Sequence, residues 1–269
     1  MAIISISGQG DPMSIDFAVD AMNRSNITLY AVARLSPAPE NAGKWDMTET
    51  DAIPLNPNEK KTLVIQAMRE LPSDGESEYV DIYVDYYSDE QQTNLVKTVH
   101  VAHEYLEYRD TDAWEVIDED NFETDLEGWN DVNAGLERDD TFAFEGSYSI
   151  KLNSGVTQDE KGFDVPDTSK YIYKTFSIQA GKTPAMLIRV GNSSSAYRIK
   201  ALTIKDDKTD EERTFKILLA GNSWRLIIIY FGFTATEDTT MTINISAVDV
   251  DNPSSPVHLD KIELKNYTV

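Results

Sequence analysis

Apolar residues recur at every second position along much of this chain. Ile15, Phe17, Val19 and Ala21 alternate with Ser14, Asp16 and Asp20, and Ile27, Leu29, Ala31, Ala33 and Leu35 repeat the pattern. A period of two belongs to a strand with one face buried and the other wet, because successive side chains of a strand point to opposite sides. A helix would repeat near 3.6, and no stretch of this sequence does so convincingly. Further strands are predicted over 62–68, 79–87 and 97–105, set apart by turn chemistry such as Asn56-Pro57-Asn58-Glu59 and Leu71-Pro72-Ser73-Asp74-Gly75. Eight more follow, at 148–152, 171–178, 185–190, 198–204, 214–218, 224–233, 241–247 and 257–264. The chain is therefore predicted to be all-β.

With 269 residues it is long for one domain and comfortable for two. The stretch from Arg109 to Asp120 is polar and acidic, broken only by Trp114, Val116 and Ile117. It divides the chain into an N-terminal β-sandwich over 1–110, an acidic linker over 111–120 and a second β-domain over 121–269.

The formal net charge is −23 and it is spread along the chain: 22 acidic and 8 basic residues through Asp118, 25 and 16 beyond it. Neither half offers the basic surface that a nucleic acid requires. No apolar run is long enough to cross a bilayer as a helix, so membrane insertion is not expected. The opening Met1-Ala2-Ile3-Ile4-Ser5-Ile6-Ser7-Gly8 lacks the basic and long apolar segments of a secretory signal, which implies synthesis in the cytoplasm. The absence of cysteine excludes disulfides, thiolate metal sites and cysteine nucleophiles. His100 and His103 are three apart on a predicted strand, which places them on opposite faces where they cannot share a metal. There is no Gly-x-Ser-x-Gly elbow, His-Glu-x-x-His or P-loop, and no enzymatic activity is expected.

Two signatures more than a hundred residues apart carry a resemblance. Asn121-Phe122-Glu123, Gly128-Trp129 and Gly146-Ser147-Tyr148-Ser149-Ile150-Lys151-Leu152 open the second domain, and Val257-His258-Leu259-Asp260-Lys261-Ile262-Glu263-Leu264 closes it. Together they resemble the first and last strands of a carbohydrate-binding-module β-jelly roll of the kind attached to xylanases and glucanases. The resemblance implies that Glu123 and Asp260 lie side by side and hold a structural calcium with backbone oxygens near Gly146–Ser149. Two carboxylates plus carbonyls can supply most of the oxygens that calcium wants. The simpler alternative is that both carboxylates accept backbone hydrogen bonds. Trp129 is expected in the core.

Sugar recognition needs aromatic platforms flanked by polar groups. Tyr171 and Tyr173 on one strand face, Tyr197 beside the Gly191–Ser195 loop, and Tyr230 are the residues that could supply them. Tyr230 ends a segment, Trp224 to Phe233, in which Leu226, Ile228 and Tyr230 make the second face apolar too. Such a face must sit under a loop, form an interface or line a cleft. In the first domain Leu55–Leu63 resembles the turn and strand of immunoglobulin-like modules of bacterial and viral surface proteins. There Tyr79, Tyr83 and Tyr87 share a strand face with Asp81 and Asp85, an arrangement suited to an interface.

An immunoglobulin-like sandwich joined to a jelly roll, without an export signal, resembles the plan of tailed-bacteriophage decoration proteins. The expectation is a non-enzymatic structural protein of the virion surface. Its first domain would dock on capsid or tail proteins, and its second would display a face adhesive to surface or mucus glycans. The alternative is a free or secreted carbohydrate-binding module of a polysaccharide-degrading system, acting outside the cell.

Overall fold

The computed structural model describes residues 2–267. They fold as two compact units, Met1–Asp112 and Ala113–Val269. Among the described residues there is no α-helix, and the only helical turns are the short 3-10 segments Ala42–Lys44 and Thr111–Ala113.

The first unit has two sheets. Strands β1 (Ala2–Ser5), β3 (Leu29–Pro37), β5 (Ile53–Leu55), β7 (Ser77–Tyr87) and β8 (Leu95–Arg109) form one, in the order β1-β8-β7-β3-β5. Strands β2 (Met13–Met22), β4 (Trp45–Asp46) and β6 (Lys60–Arg69) form the other, in the order β2-β6-β4. The alternation read from the sequence is what joins them: Ile15, Phe17 and Val19 of β2 and Leu63 and Ile65 of β6 face Ala31, Val80, Ile82 and Val84 in one core. Within that core Glu78 is met on three sides. Arg69 Nε donates to it at 2.9 Å, Tyr108 Oη at 2.7 Å and Trp45 Nε1 at 3.1 Å. A buried carboxylate satisfied by three donors avoids the cost of an unpaired charge. Ile27, expected in the second strand, precedes β3 and is exposed.

The second unit begins where a linker was expected. Glu115–Asp120 is strand β9, paired antiparallel with the last strand, so this acidic stretch belongs to the unit's own sheet. Composition misleads here because Asp118 and Asp120 lie opposite the core residues Leu264 and Ile262 and both pair with Lys174 of the facing sheet, while the buried Asp120 also accepts from Trp129 Nε1.

One sheet of this unit contains β10 (Asn130–Val132), β15 (Tyr171–Ile178), β17 (Arg198–Asp206), β18 (Glu212–Leu219) and β20 (Thr239–Asp249), in the order β10-β15-β20-β17-β18. The facing sheet contains β11 (Glu137–Asp139), β12 (Ser149–Leu152), β16 (Pro184–Asn192), β19 (Ser223–Tyr230) and β21 (Val257–Asn266), in the order β11-β12-β21-β16-β19, with β9 also on β21. Strands β13 (Val156–Gln158) and β14 (Asp164–Pro166) form a separate hairpin. Phe122, Trp129, Ile150, Phe176, Ile188, Ile229 and Leu259 are among the residues that fill the space between the two sheets. This is a two-layer β-sandwich, and the sequence expectation of an all-β chain holds throughout.

Candidate functional site

One edge of β21 is shared by two short strands in tandem: β12 pairs with Val257–Leu259 and β9 with Ile262–Asn266. The gap between them falls at Asp260 and Lys261, the latter with a φ of 42°. The segment following Asp139 fills this gap with its backbone. Asp260 Oδ2 accepts from the amides of Phe144 (2.7 Å) and Glu145 (3.2 Å), and its Oδ1 accepts from that of Lys261 (2.7 Å). Glu123 Oε1 accepts from the amides of Ser147 (2.9 Å) and Tyr148 (3.0 Å). Arg138 donates to the carbonyls of Phe122 and Glu123, fixing the start of the clasp as well.

The two carboxylates singled out in the sequence are thus brought to the same loop, but as acceptors of backbone N–H groups. Calcium requires converging oxygens, and the groups that meet these carboxylates are donors. Among the described residues no group of three or more His, Cys, Asp or Glu side chains is placed to hold a metal. As arranged, the pair does not fit the expected calcium ion, and the amides close the clasp by themselves. Asp260 is buried, and desolvation raises its pKa above the usual carboxylate value against the pull of its backbone donors and with the help of the nearby Glu123 charge.

The clasped loop throws Phe142 and Phe144 over the outer face of the β16-containing sheet. That face is built of rows set by strand register. Gly191 of β16 lies between Trp224 and His258, Arg189 between Leu226 and Asp260, Leu187 between Ile228 and Glu263, and Ala185 between Tyr230 and Lys265. Phe142 stacks on Trp224 (centroids 4.7 Å, planes 10° apart) and meets His258 edge-on at 5.3 Å. The stack lies so close to the backbone that only glycine fits at 191, where a Cβ would come 2.7 Å from the Trp224 ring and 2.8 Å from that of Phe142.

Phe144 is 43% exposed, turns its edge to Trp224 at 6.2 Å, and has the Arg189 guanidinium 4.6 Å from its ring centre. At the far end Tyr230 packs on Tyr267 at 4.8 Å, which Trp114 supports edge-on at 5.3 Å. Trp224, Leu226, Ile228 and Tyr230 are all half-buried. They make a strip about 20 Å long, taking a strand rise of about 3.3 Å per residue. Its polar border is held in place by ion pairs, Lys265 with Glu263 (3.1 Å) and Lys261 with Glu145 (2.8 Å).

His258 lies beside Phe142 in a buried hydrogen-bonded chain. It is buried, its Nε2 lies 2.8 Å from Asp139 Oδ2, and Asp139 in turn accepts from Thr141 Oγ1 at 2.9 Å. Desolvation keeps the imidazole pKa below its usual value in spite of Asp139, so the ring is neutral near pH 7 and donates its Nε2–H.

Of the tyrosines expected to bind ligand, Tyr230 alone belongs to this strip. Tyr171 and Tyr173, 6.2 Å apart, stand on β15 in the opposite sheet. Tyr197 lies in the turn between β16 and β17 and is 62% exposed. These four do not converge. Phe144 and Arg189 were missed in the sequence; the signal for Phe144 was the alternation Phe142-Ala143-Phe144 just before Gly146, while Arg189 had none.

In the first unit Tyr79, Tyr83 and Tyr87 do share the outer face of β7. Tyr79 stacks on His103 (4.8 Å, 9°), Tyr83 lies 5.0 Å from His100, and the Arg34 guanidinium sits 4.4 Å above the Tyr83 ring. The expectation that His100 and His103 point to opposite faces is wrong. Tyr83 pairs with His100 and Ile82 with Ala102, so Val101 is an inserted residue that restores both imidazoles to one side. His100 Nε2 (2.8 Å) and His103 Nδ1 (2.9 Å) both meet Asp81 Oδ1.

No protein-family model matches the chain, and no curated protein does. Among solved structures the second unit's size is matched by the CBM22-1 xylan-binding domain from Paenibacillus barcinonensis Xyn10C, with 11% identity over 58% of this chain and 97% of that one (TM-score 0.41). The tandem CBM22-1-CBM22-2 domain of the same protein aligns over 93% of this chain and 83% of that one, also at 11% identity (TM-score 0.43). TmCBM61, solved in complex with β-1,4-galactotriose, covers 58% of this chain and 94% of its own at 10% identity (TM-score 0.33). What the chain is similar to is therefore a set of β-sandwich carbohydrate-binding modules.

Proposed function

We propose that this chain is a non-catalytic glycan-binding protein whose ligand lies along the outer face of β16 and β19. The observation that carries the reading is the half-exposed strip from Phe144 and Trp224 to Tyr230. Apolar sugar faces stack on such rings, and hydroxyl groups would be met by Arg189, the half-buried cation beside Phe144. Arg189 is held on a strand rather than a loop, which limits the entropy lost on binding. The virion-decoration role expected from the sequence draws no support from any feature of the structure. Glycan binding, the alternative there, becomes the leading reading.

Affinity gels carrying xylan, β-glucans or mucin glycans test it. At least one should retard the protein, and Trp224→Ala with Tyr230→Ala should weaken that retardation about tenfold or more, the loss of one or two stacking contacts. Tyr171→Ala, on the opposite sheet, should leave it unchanged. Equal migration on every gel, or a loss with Tyr171→Ala but not with the Trp224 variant, refutes the assignment.

A further inference from the structure

Strand β8 is one of two long edges of the first unit, the other being β2, whose ten residues pair with β6. The remaining edge strands are short, β1 with four residues, β5 with three and β4 with two, and short edges resist unwanted pairing. On β8 the outer neighbour β1 pairs only with Leu106–Arg109. Among the described residues, β8 is paired on one side alone, with β7, from Leu95 to Tyr105. Three of the chain's most exposed large apolar side chains lie on this stretch: Leu95 at 57%, Val96 at 55% and Val101 at 43%.

The insertion at Val101 opposes a continuous ladder, since a bulge twists an edge away from a would-be partner. It also has a second effect. By shifting the alternation it puts Lys97 and Glu104 on the same face of the sheet, opposite Tyr86 and Val80 of β7, while Thr98 and His103 share the other. A second copy of β8, laid antiparallel about a two-fold axis through the bulge, then meets the first as two matching arms. Each arm sets Lys97 against Glu104, Thr98 against His103 and Val99 against Ala102, and stops at Val96, a second inserted residue. Every pair agrees in face, each Lys97 faces a carboxylate, and the arms end short of the residues that β1 covers. Neither Lys97 nor Glu104 has an ion-pair partner among the described residues. Moving the register two residues one way puts Lys97 opposite Ala102, and two the other way runs the arm into β1.

We infer that β8 is a self-complementary edge through which two copies of this chain join into one continuous sheet. Isologous pairing of this kind is the commonest route to a closed dimer. Sedimentation equilibrium of the full chain should show a monomer–dimer equilibrium. Lys97→Glu, which sets like charges opposite one another twice per dimer, should raise the dissociation constant about tenfold or more, and so should Glu104→Lys. The double exchange, Lys97→Glu with Glu104→Lys, should restore it, a recovery that a merely misfolded variant would not show; near-UV circular dichroism checks that each variant folds. A protein that stays monomeric up to ~1 mM, a dimer indifferent to Lys97→Glu, or a double exchange that fails to recover while retaining its fold each overturns the inference. So does binding of an unrelated extended peptide to this edge in a chain that does not self-associate.

Discussion

Replacing Gly191 by alanine probes the strip at its tightest point. The added methyl would lie 2.7 Å from the distal ring carbons of Trp224 and 2.8 Å from Phe142, well inside van der Waals contact. Both obstacles are ring edges, so the rings can swing aside, but doing so breaks their stack. Unstacking costs about 0.5–1.5 kcal/mol and overpacking typically about 1–3 kcal/mol, so the second unit should lose roughly 2 kcal/mol. For a unit of this size that is a fall in Tm of about 4–8 °C. Gly221→Ala is the internal control, because its methyl would meet the backbone oxygen of Ser195 at 2.2 Å and that residue's Cα at 3.0 Å. Backbone cannot rotate away, so Gly221→Ala should cost more. Scanning calorimetry gives the two shifts, and the near-UV signal of Trp224 reports whether the stack opened. A Gly191→Ala protein with unaltered Tm and unaltered aromatic signal would refute the close approach of Phe142 and Trp224 to the sheet.

Two further outcomes follow from the second unit. Asp120 is buried, and desolvation pushes its pKa up to about 6 in spite of Lys174 and Trp129. A folded pKa above the unfolded value near 3.8 means that ionised Asp120 is penalised in the native state. Its contribution to stability therefore improves as pH falls from about 6 to below 4, by at most about 3 kcal/mol, so Asp120→Asn should lose ground against the parent between pH 7 and pH 4 in urea titrations. A gap that stays constant or narrows contradicts this. The clasp at Glu123 and Asp260 is closed by amides, so neither EDTA nor millimolar calcium should move the melting transition. A calcium-dependent rise of several degrees would show that the loop rearranges to turn carbonyls inward.

What could be read in the sequence is what depends on local alternation. Strand 171–178 was read to its ends because Ile172, Phe176 and Ile178 are buried between polar neighbours. The two-faced apolar segment 224–230 was likewise visible, together with the need for something to cover it. Features that depend on an inserted residue were not. Counting by twos across Val101 gives the wrong face for His100, and nothing in the composition of Asp118-Glu119-Asp120 reveals that its backbone completes a sheet. The clasp was half legible: Glu123 and Asp260 do meet at one loop, but whether a loop offers N–H or C=O groups is a matter of its φ and ψ angles, which side-chain identities specify only weakly.

The two units also differ in how their ends would bear a load. In the first, β1 and β8 run parallel, so tension drawn through Ala2 and Arg109 is shared by all the hydrogen bonds between them at once. In the second, β9 and β21 are antiparallel with Glu115 facing Asn266, so the same pull opens their ladder one rung after another. Under force along the chain, the unit bearing the aromatic strip would yield first while the other stayed closed.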